Sequence, residues 1–423
     1  METAIENKRT EYLAPFVTMV FLFLVVGFLT TANTQFQAPL QEMLLTGMKG
    51  LKNTCATLIT FSWFLAYPVC GGVGARLINK VGYRGTLIRG LVVMCLGLGL
   101  TFCCSFFAVH FPAADISVGE YSVPAAFILF LLGSFVTGCS ATILQVVINP
   151  YLSACTVKGT QAVQRLAIGG SANAVGTTVA PFFVTGIVFG GLAMGDITVD
   201  MLMVPFLSLM AVIALITIGL SHVALPDIGN TRNTSGETLE KSVWSFRHLT
   251  LGVVAIFFYV GAEVCIGGNI NMFATSLGYS SETVALLATL YWGGILVGRL
   301  VGSSLSKISP RVQLTFTTTC AIILTVAAIA TDNPWVLAAV GLCHSIMWGC
   351  IFTLAVTGLG KYTAAASGVF MIGVVGGAIL PLLQGVLADA LGDWRFTWLI
   401  VVASELIMLL YALIGSRVRE TAE

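Results

Sequence analysis

The 423-residue chain is 57% hydrophobic and 9% charged, and its mean hydropathy is +0.95. This balance excludes a soluble globular protein and predicts an all-α membrane protein with many spans. A formal net charge of +1 without a basic run excludes a nucleic-acid-binding class. The eleven cysteines lie in apolar stretches without the spacing of ligands, so we expect buried packing residues, no metal and no cofactor.

The hydrophobic pattern predicts twelve helices, at about 20 apolar residues for each membrane crossing. They cover approximately residues 14-45, 54-76, 86-108, 122-150, 165-191, 201-222, 248-273, 282-306, 311-330, 334-358, 363-389 and 394-416. The chain begins with a polar segment, and the apolar run that follows is too long for the core of a signal peptide. We therefore expect the amino terminus to stay in the cytoplasm.

Lysine and arginine test this orientation independently, because cytoplasmic loops collect these residues. With the amino terminus inside, only Lys49, Lys52 and Arg395 of the 20 basic residues fall on the outer side. A miscounted helix would scramble this segregation. The sequence therefore predicts a multi-pass protein of the cell inner (plasma) membrane with both termini in the cytoplasm.

A polar segment at 226-247 divides the predicted helices into six and six. We interpret it as a cytoplasmic linker between one half at 1-225 and another at 248-423. The pair Gly176 and Pro181 in the fifth helix recurs as Gly376 and Pro381 in the eleventh, the corresponding helix of the second half. Two parallel six-helix repeats resemble the major facilitator fold, in which the substrate site lies between the halves near the middle of the membrane.

Ordered sequence blocks along most of the chain resemble one family of that superfamily, the fucose-galactose-glucose:proton symporters. The blocks are GFLTTAN (27-33), VGYRGTLIRGL (81-91), LQVVINPY (144-151), NAVGTTVAP (173-181), YVGAEVCIG (259-267), YWGGILVGRLVGS (291-303), SIMWGCIFTLAVTGLGKYT (345-363) and SGVFMIGVVGGAILPLLQGVLAD (367-389). The resemblance implies a monomeric secondary transporter that takes up a hexose or deoxyhexose by alternating access. It also implies coupling to protons, with sodium as the alternative ion.

Four positions depart from the family pattern. The family usually has an Asn-Asp pair late in the first helix, and its Asp is a candidate for proton coupling, whereas this chain has Asn33 and Thr34. Gln145 matches the glucose/galactose-type members, because the fucose-type members have Glu there. Gly170 stands where a Gln is expected, and His344 replaces a common Asn. The substrate and the coupling residues therefore cannot be copied from the family.

A sugar site needs amides, carboxylates or histidine for the hydroxyls and an aromatic face for the C–H surface. Asn33 and Gln37 are four residues apart on one face of the first helix, and Gln145 and Asn149 repeat this spacing in the fourth. We expect these residues and Asn173 to bind substrate. The alternative is hydrogen bonding between helices with no ligand. For Asn149 a structural role is favoured, because it precedes Pro150 and its side chain can cap the backbone groups that the proline frees.

The second half supplies further candidates for substrate binding. Asn269 and Asn271 are two apart and cannot both face a cavity, and we expect Asn269 to share the face of Glu263. Trp292 or its neighbour Tyr291 provides an aromatic surface, with a place at the membrane interface as the alternative. Gln384 lies deep in the eleventh helix, where a polar side chain faces either a ligand or another helix. His344 is a candidate for both binding and coupling.

Glu263 is a carboxylate inside an apolar span, and such groups are functional by default. Glu263 and His344 are the coupling candidates, because histidine changes its charge near neutral pH. Two alternatives stay open: Glu263 anchors the seventh helix by hydrogen bonds, and His344 stays neutral. Glu405 lies in the last helix, which in this superfamily is usually outside the transport path, so we expect it to have a packing role.

Arg76, Lys80 and Arg84 follow the second helix, and Arg299 ends the eighth. These positions resemble the charge network that links the two halves of facilitators in the outward-facing state. The acid expected in that motif is missing, so helix dipoles are an alternative partner for these cations. Retention of the positive loops in the cytoplasm explains the same charges without any network.

The sequence predicts a transporter and not an enzyme, since no Ser/His, HExxH or paired-Asp constellation lies at membrane depth. Three alternatives remain within the same fold. The first is an uncoupled facilitative carrier, the second transports another small polar solute, and the third is a sugar sensor without transport.

Overall fold

The structure is a computed structural model and describes residues 12–48, 50–112, 114–118, 121–155, 157–158, 160, 162–226, 240–303 and 308–418. Several residues used in the sequence analysis lie outside the described residues: Lys8, Arg9, Lys49, Arg232, Lys307, Arg419 and most of the predicted linker at 226-247. The linker and the division into two halves therefore stay predictions. Below, the N-half means the first six spans and the C-half the last six.

The helices of the N-half are Leu13–Gln35 with Gln37–Leu44, Lys52–His110, Ala125–Ala154, Ala162–Phe182 and Met203–His222. Those of the C-half are Arg247–Ser276, Ser281–Ser303, Pro310–Thr331, Pro334–His344 with Met347–Val356, Thr363–Phe370 with Gly376–Leu391, and Leu399–Leu410. The fifth span continues as a π-helix at Phe183–Val188, and the twelfth at Tyr411–Gly415.

One helix is about three times as long as a single membrane crossing requires. Lys52–His110 has 59 residues, which is about 90 Å at a rise of 1.5 Å per residue, whereas the hydrocarbon layer is about 30 Å thick. Its backbone leaves the helical region at Gly82, where φ is 73°, a left-handed value that favours glycine. The chain turns there, so this helix forms the second and third spans. The predicted twelve-helix membrane protein is confirmed.

The connection between the third and fourth spans contains a feature that hydrophobicity did not predict. Asp115–Val118 and Tyr121–Pro124 pair as antiparallel strands. This hairpin lies on the side of the bundle opposite Tyr12 and Val418, the first and last described residues. Below, the side with these two residues is called the terminal side and the other the opposite side.

The glycines of the internal repeat have the same function in both halves. A Cβ on Gly176 would lie 2.2 Å from the carbonyl oxygen of Leu24, and a Cβ on Gly376 would lie 1.9 Å from that of Phe257. Glycine therefore brings the fifth span against the first, and the eleventh against the seventh. The two halves share this backbone contact because the repeat preserves the residue that permits it.

Candidate functional site

The two halves are joined on the opposite side by a carboxylate that caps a helix. The Asp389 carboxylate, near the end of the eleventh span, accepts hydrogen bonds from the backbone N–H groups of Asn53 (3.0 Å) and Thr54 (2.7 Å). It also accepts one from the Thr54 hydroxyl at 2.6 Å. These donors belong to the first turn of the second span, where free N–H groups and the helix dipole favour an anion. We call this contact the Asp389 latch.

Close packing extends the joint inward from the latch. A Cβ on Gly385 would lie 2.4 Å from the Thr57 hydroxyl oxygen, and a Cβ on Gly377 would lie 2.9 Å from the ring of Phe64. The second and eleventh spans therefore touch along their halves nearer the opposite side.

The same two spans separate toward the terminal side. A Cβ on Gly71 or Gly72 of the second span, or on Gly368 of the eleventh, would have no atom within 4 Å. Val69, one turn nearer the membrane centre, is 54% exposed. The second and eleventh spans therefore bound a cleft between the halves, closed on the opposite side and open on the terminal side.

The basic residues predicted to link the halves lie on the open side. Arg76, Lys80 and Arg84 are exposed, and within the described ranges none of them forms an ion pair. Arg299 does cross between the halves, because its Nη1 donates to the carbonyl oxygen of Gly170 at 3.0 Å. The second and eleventh spans are apart on this side, which explains why the other three have no ion-pair partner across the cleft, whereas the fifth and eighth spans stay in contact.

Both predicted side chains of the first span point toward the second span. Asn33 Nδ2 donates to the carbonyl oxygen of Ile59 at 3.4 Å, and Gln37 Nε2 donates to the hydroxyl of Thr60. They share a face, although the helix is interrupted at Phe36 between them. Asn33 is 7% exposed and Gln37 is fully buried.

Gln35, which is not among the residues predicted from the sequence, contacts the other half. Its Nε2 donates to the carbonyl oxygen of Gly267 at 3.2 Å, and its Oε1 accepts from Asn271 Nδ2 at 2.5 Å. Trp292 packs on the same place, since a Cβ on Gly267 would lie 2.3 Å from its indole ring. We call Gln35, Gln37, Gly267, Asn271 and Trp292 the first/seventh-span joint.

The joint contains polar atoms that lack partners. Gln37 Oε1, Asn271 Oδ1 and Trp292 Nε1 are buried and have no hydrogen-bond partner among the described residues. Gln37 Oε1 lies 3.8 Å from the position of a Cβ on Gly268, the neighbour of the glycine on which Trp292 packs. A buried unpaired polar atom costs about 1–3 kcal/mol, so two acceptors and one donor within this joint require an explanation.

Asn269 points away from this joint. Its Nδ2 donates to Gln384 Oε1 at 2.9 Å, and Gln384 Nε2 donates to the Thr397 hydroxyl at 3.1 Å. Both amide side chains are fully buried inside the C-half. At about 100° per residue, Asn271 lies about 80° around the helix from Glu263 and Asn269 about 120°. Asn271, and not Asn269, therefore shares the face of Glu263.

The three remaining N-half amides that were predicted to bind substrate lie at different places. Gln145 is partly exposed and donates from Nε2 to the Tyr67 hydroxyl at 2.6 Å. Asn149 is also partly exposed, and its side chain forms no hydrogen bond within the described part of the chain. Asn173 Nδ2 donates to the carbonyl oxygen of Phe23 at 3.0 Å, so it fastens the fifth span to the first.

Glu263 and His344 belong to one chain of hydrogen bonds in the C-half. The Tyr259 hydroxyl lies 2.9 Å from Glu263 Oε1 and 3.0 Å from the carbonyl oxygen of His344. The Tyr291 hydroxyl lies 3.0 Å from the carbonyl oxygen of Glu263 and 2.7 Å from His344 Nδ1. His344 Nε2 lies 2.6 Å from Glu405 Oε1. Glu263 is partly exposed, whereas His344 and Glu405 are fully buried.

Comparison with known proteins identifies the family. The profile of the Major Facilitator Superfamily matches residues 12–374. A glucose/galactose transporter of Brucella abortus (strain 9-941) is 33% identical over 425 residues, 97% of this chain and 96% of that protein. A putative glucose/galactose transporter of Helicobacter pylori (strain ATCC 700392 / 26695) is 33% identical over 391 residues, 88% of this chain and 89% of its own.

A solved structure agrees with these relatives in fold. The fucose:proton symporter of Escherichia coli matches with a TM-score of 0.67 at 20% identity, over 96% of this chain and 100% of that chain. At this identity the likeness shows the fold, which is that of the major facilitators. The chain therefore belongs to the major facilitator superfamily and, within it, to the fucose-galactose-glucose:proton symporter family.

Proposed function

We propose that the protein carries a monosaccharide across the membrane by alternating access. The observation that carries this proposal is the set of unpaired atoms at the first/seventh-span joint. A sugar hydroxyl both donates and accepts, so one ligand with several hydroxyls pairs Gln37 Oε1, Asn271 Oδ1 and the indole N–H of Trp292 together. The Trp292 ring also offers the aromatic face that the C–H surface of a sugar needs.

The cleft supports the transport cycle. It is closed by the Asp389 latch and open on the terminal side, and the reverse arrangement requires only that 1-225 rock against 248-423. The names of the relatives support a hexose as the substrate. We place the protein in the cell inner membrane with the terminal side in the cytoplasm, in agreement with the distribution of basic residues. The proposal takes the carrier to be a monomer.

Transport coupled to protons is part of the proposal, with sodium as the alternative ion. Thr34 favours a second candidate, an uncoupled facilitative carrier, because the first-span carboxylate of the family is absent. The two candidates differ in one measurement. Only a coupled carrier accumulates sugar when an ion gradient is imposed.

The proposal is tested with purified protein in liposomes. The liposomes are preloaded with an unlabelled monosaccharide, and the same sugar in labelled form is added outside. We expect saturable uptake of the label by counterflow for at least one member of a panel of hexoses, deoxyhexoses and pentoses. Nucleosides and small acids serve as the comparison panel. Binding of a sugar without counterflow would identify a sensor, and absence of counterflow across all the sugars would reject the monosaccharide assignment.

Gln37→Ala tests the site itself. The change removes an acceptor that the sugar uses, so we expect about a tenfold weaker sugar affinity, equivalent to about 1.4 kcal/mol for one hydrogen bond. Affinity is measured by titration calorimetry or by the sugar-dependent shift in unfolding temperature.

Gln41→Ala is the matched control for this variant. Gln41 is an amide one turn further along the same helix, and its Nε2 already donates to Asn53 Oδ1 at 2.8 Å. We expect Gln41→Ala to bind sugar as the wild type does. Equal affinities of the two variants for the sugar would place the binding site elsewhere.

A further inference from the structure

The hydrogen-bond chain in the C-half has more contacts than protons. It contains five hydrogen bonds among the side chains of Tyr259, Glu263, Tyr291, His344 and Glu405 and two carbonyl oxygens. Each bond needs one proton. With both carboxylates ionised and the imidazole neutral, the two hydroxyls and the imidazole supply three protons. Two of the five contacts then lack a proton, so this group of side chains can take up further protons.

The contact between His344 and Glu405 shows where one of these protons belongs. Tyr291 has one hydroxyl proton, and its two partners are the carbonyl oxygen of Glu263 and His344 Nδ1. A carbonyl oxygen can only accept, so the Tyr291 hydroxyl must donate its proton to the carbonyl oxygen of Glu263. The second bond then forms only when His344 Nδ1 carries a proton and donates it to the Tyr291 hydroxyl oxygen. Nε2 and Glu405 Oε1, 2.6 Å apart, then need a second proton between them. The pair as a whole is then neutral.

Loss of that proton leaves a charge that the fold does not compensate. Glu405 is fully buried, and its Oε2 has no partner among the described residues. An ionised carboxylate beside a neutral imidazole is expensive at this depth. The Tyr291 hydroxyl must then donate to Nδ1 and release the carbonyl of Glu263. Gain or loss of one proton therefore changes a bond between the eighth and seventh spans.

His344 lies at a break in the tenth span. The tenth span is broken into Pro334–His344 and Met347–Val356. The carbonyl oxygens freed at the break accept from neighbouring spans: that of His344 from Tyr259 at 3.0 Å, and that of Ser345 from Arg299 Nε at 3.4 Å. Arg299 also reaches Gly170 in the N-half. The His344–Glu405 pair thus adjoins a helix break that hydrogen-bonds to the seventh and eighth spans and, through Arg299, to the N-half.

From this geometry we propose that the His344–Glu405 pair binds the coupling proton, in place of the carboxylate that the first span lacks. The inference rests on the proposed function, because it assigns the proton site of that carrier. Several titratable groups face the pair from the helices around it: Tyr259 and Glu263 of the seventh span, Tyr291 of the eighth and Cys343 of the tenth. Arg299, Cys265 and Cys320 lie one step further away, beside Glu263, Tyr291 and Cys343 respectively. Glu405 differs from Glu263 in that it is fully buried, and among the described residues its carboxylate forms a hydrogen bond with His344 alone.

Glu405→Gln tests the assignment. Gln keeps the shape and an acceptor for His344 Nε2 but cannot take up a proton. In liposomes with an imposed inward proton gradient, we expect the wild type to accumulate sugar and Glu405→Gln to equilibrate it without accumulation. Counterflow, which needs no net proton movement, should persist in the variant. Accumulation by Glu405→Gln at the wild-type level would overturn the proposal.

Ser404→Ala is the control for a change in the same buried helix. Ser404 is fully buried and donates only within its own helix, to the carbonyl oxygen of Ile400 at 2.7 Å. Its variant should accumulate sugar as the wild type does. If Glu405→Gln does not fold, His344→Asn replaces it, and loss of accumulation with retained counterflow is again expected.

Two wild-type measurements separate this inference from the proposed function. Without counterflow of any sugar, the carrier assignment itself fails. With counterflow but no accumulation in a proton gradient, the carrier assignment stands and the proton site is overturned. A third measurement adds sugar to solubilised wild-type protein in a weak buffer containing a pH indicator. The proposal expects protons to be taken up or released, and an unchanged pH would reject it.

Discussion

Asp389→Ala is expected to open the side of the protein that the structure shows closed. The change removes three hydrogen bonds to the first turn of the second span. Because Asp389 is partly exposed, we assign about 1 kcal/mol to each bond, or about 2–3 kcal/mol together. The balance between the two states should shift about 30- to 150-fold away from the closed form.

The measurement uses Cys55, which adjoins the latch and is 7% exposed. In a background where Cys55 is the single remaining cysteine, a membrane-impermeant maleimide added from the opposite side reports opening. We expect labelling to be faster by roughly the same factor as the shift in population. Asp389→Asn, which keeps one acceptor oxygen, should fall between the wild type and Asp389→Ala.

Glu42→Ala is the control for the latch. Glu42 is a carboxylate at the same surface, but its ion pair with Lys52, at 3.1 Å, stays within the N-half and is solvent-exposed. Exposed pairs contribute little, so labelling of Cys55 should not change. Equal labelling of Asp389→Ala and the wild type would show that the latch does not hold the closed end.

Gly376→Ala is expected to have the largest effect on folding. The added Cβ would lie 1.9 Å from the backbone oxygen of Phe257, and a backbone atom cannot rotate away. The seventh and eleventh spans must separate, which costs about 3 kcal/mol or more. Gly176→Ala should behave alike in the N-half, where the carbonyl oxygen of Leu24 is 2.2 Å away. Unfolding temperature and the yield of monodisperse protein in detergent measure both effects.

Gly368→Ala provides the matched control, because it lies in the same span as Gly376 and its Cβ would have no atom within 4 Å. We expect an unfolding temperature equal to that of the wild type or slightly higher, since alanine favours the helix more than glycine does. If Gly376→Ala and Gly368→Ala unfold at the same temperature, close backbone approach is not what the repeat preserves.

The sequence by itself determined the membrane class, the twelve spans and the family. The number of consecutive apolar residues is a local property of the chain, so each span can be predicted without knowledge of its neighbours. The correspondence of Gly176 and Gly376 could also be predicted from the sequence, because close helix packing requires glycine at a fixed position of the repeat. The turn at Gly82 separates the second and third spans, which the sequence also shows as two apolar runs.

Only the tertiary structure decided which polar side chains meet. Asn33 and Gln37 share a face, as their spacing predicts, whereas Gln35 and Asn271 join the halves because the first and seventh spans cross at Gly267. A sequence contains no information on that crossing until both helices are placed.

Asp389 and Glu405 illustrate the same limit at greater distance along the chain. Asp389 stands at the end of a span, where a carboxylate is ordinarily a solvated group, and it became a latch because Asn53, 336 residues away in sequence, lies beside it. Glu405 was expected to be a packing residue, and its partner His344 is 61 residues away. Hydrogen bonds and charge act over a few ångströms in space, so the chemistry of these side chains is set by neighbours that only the fold supplies.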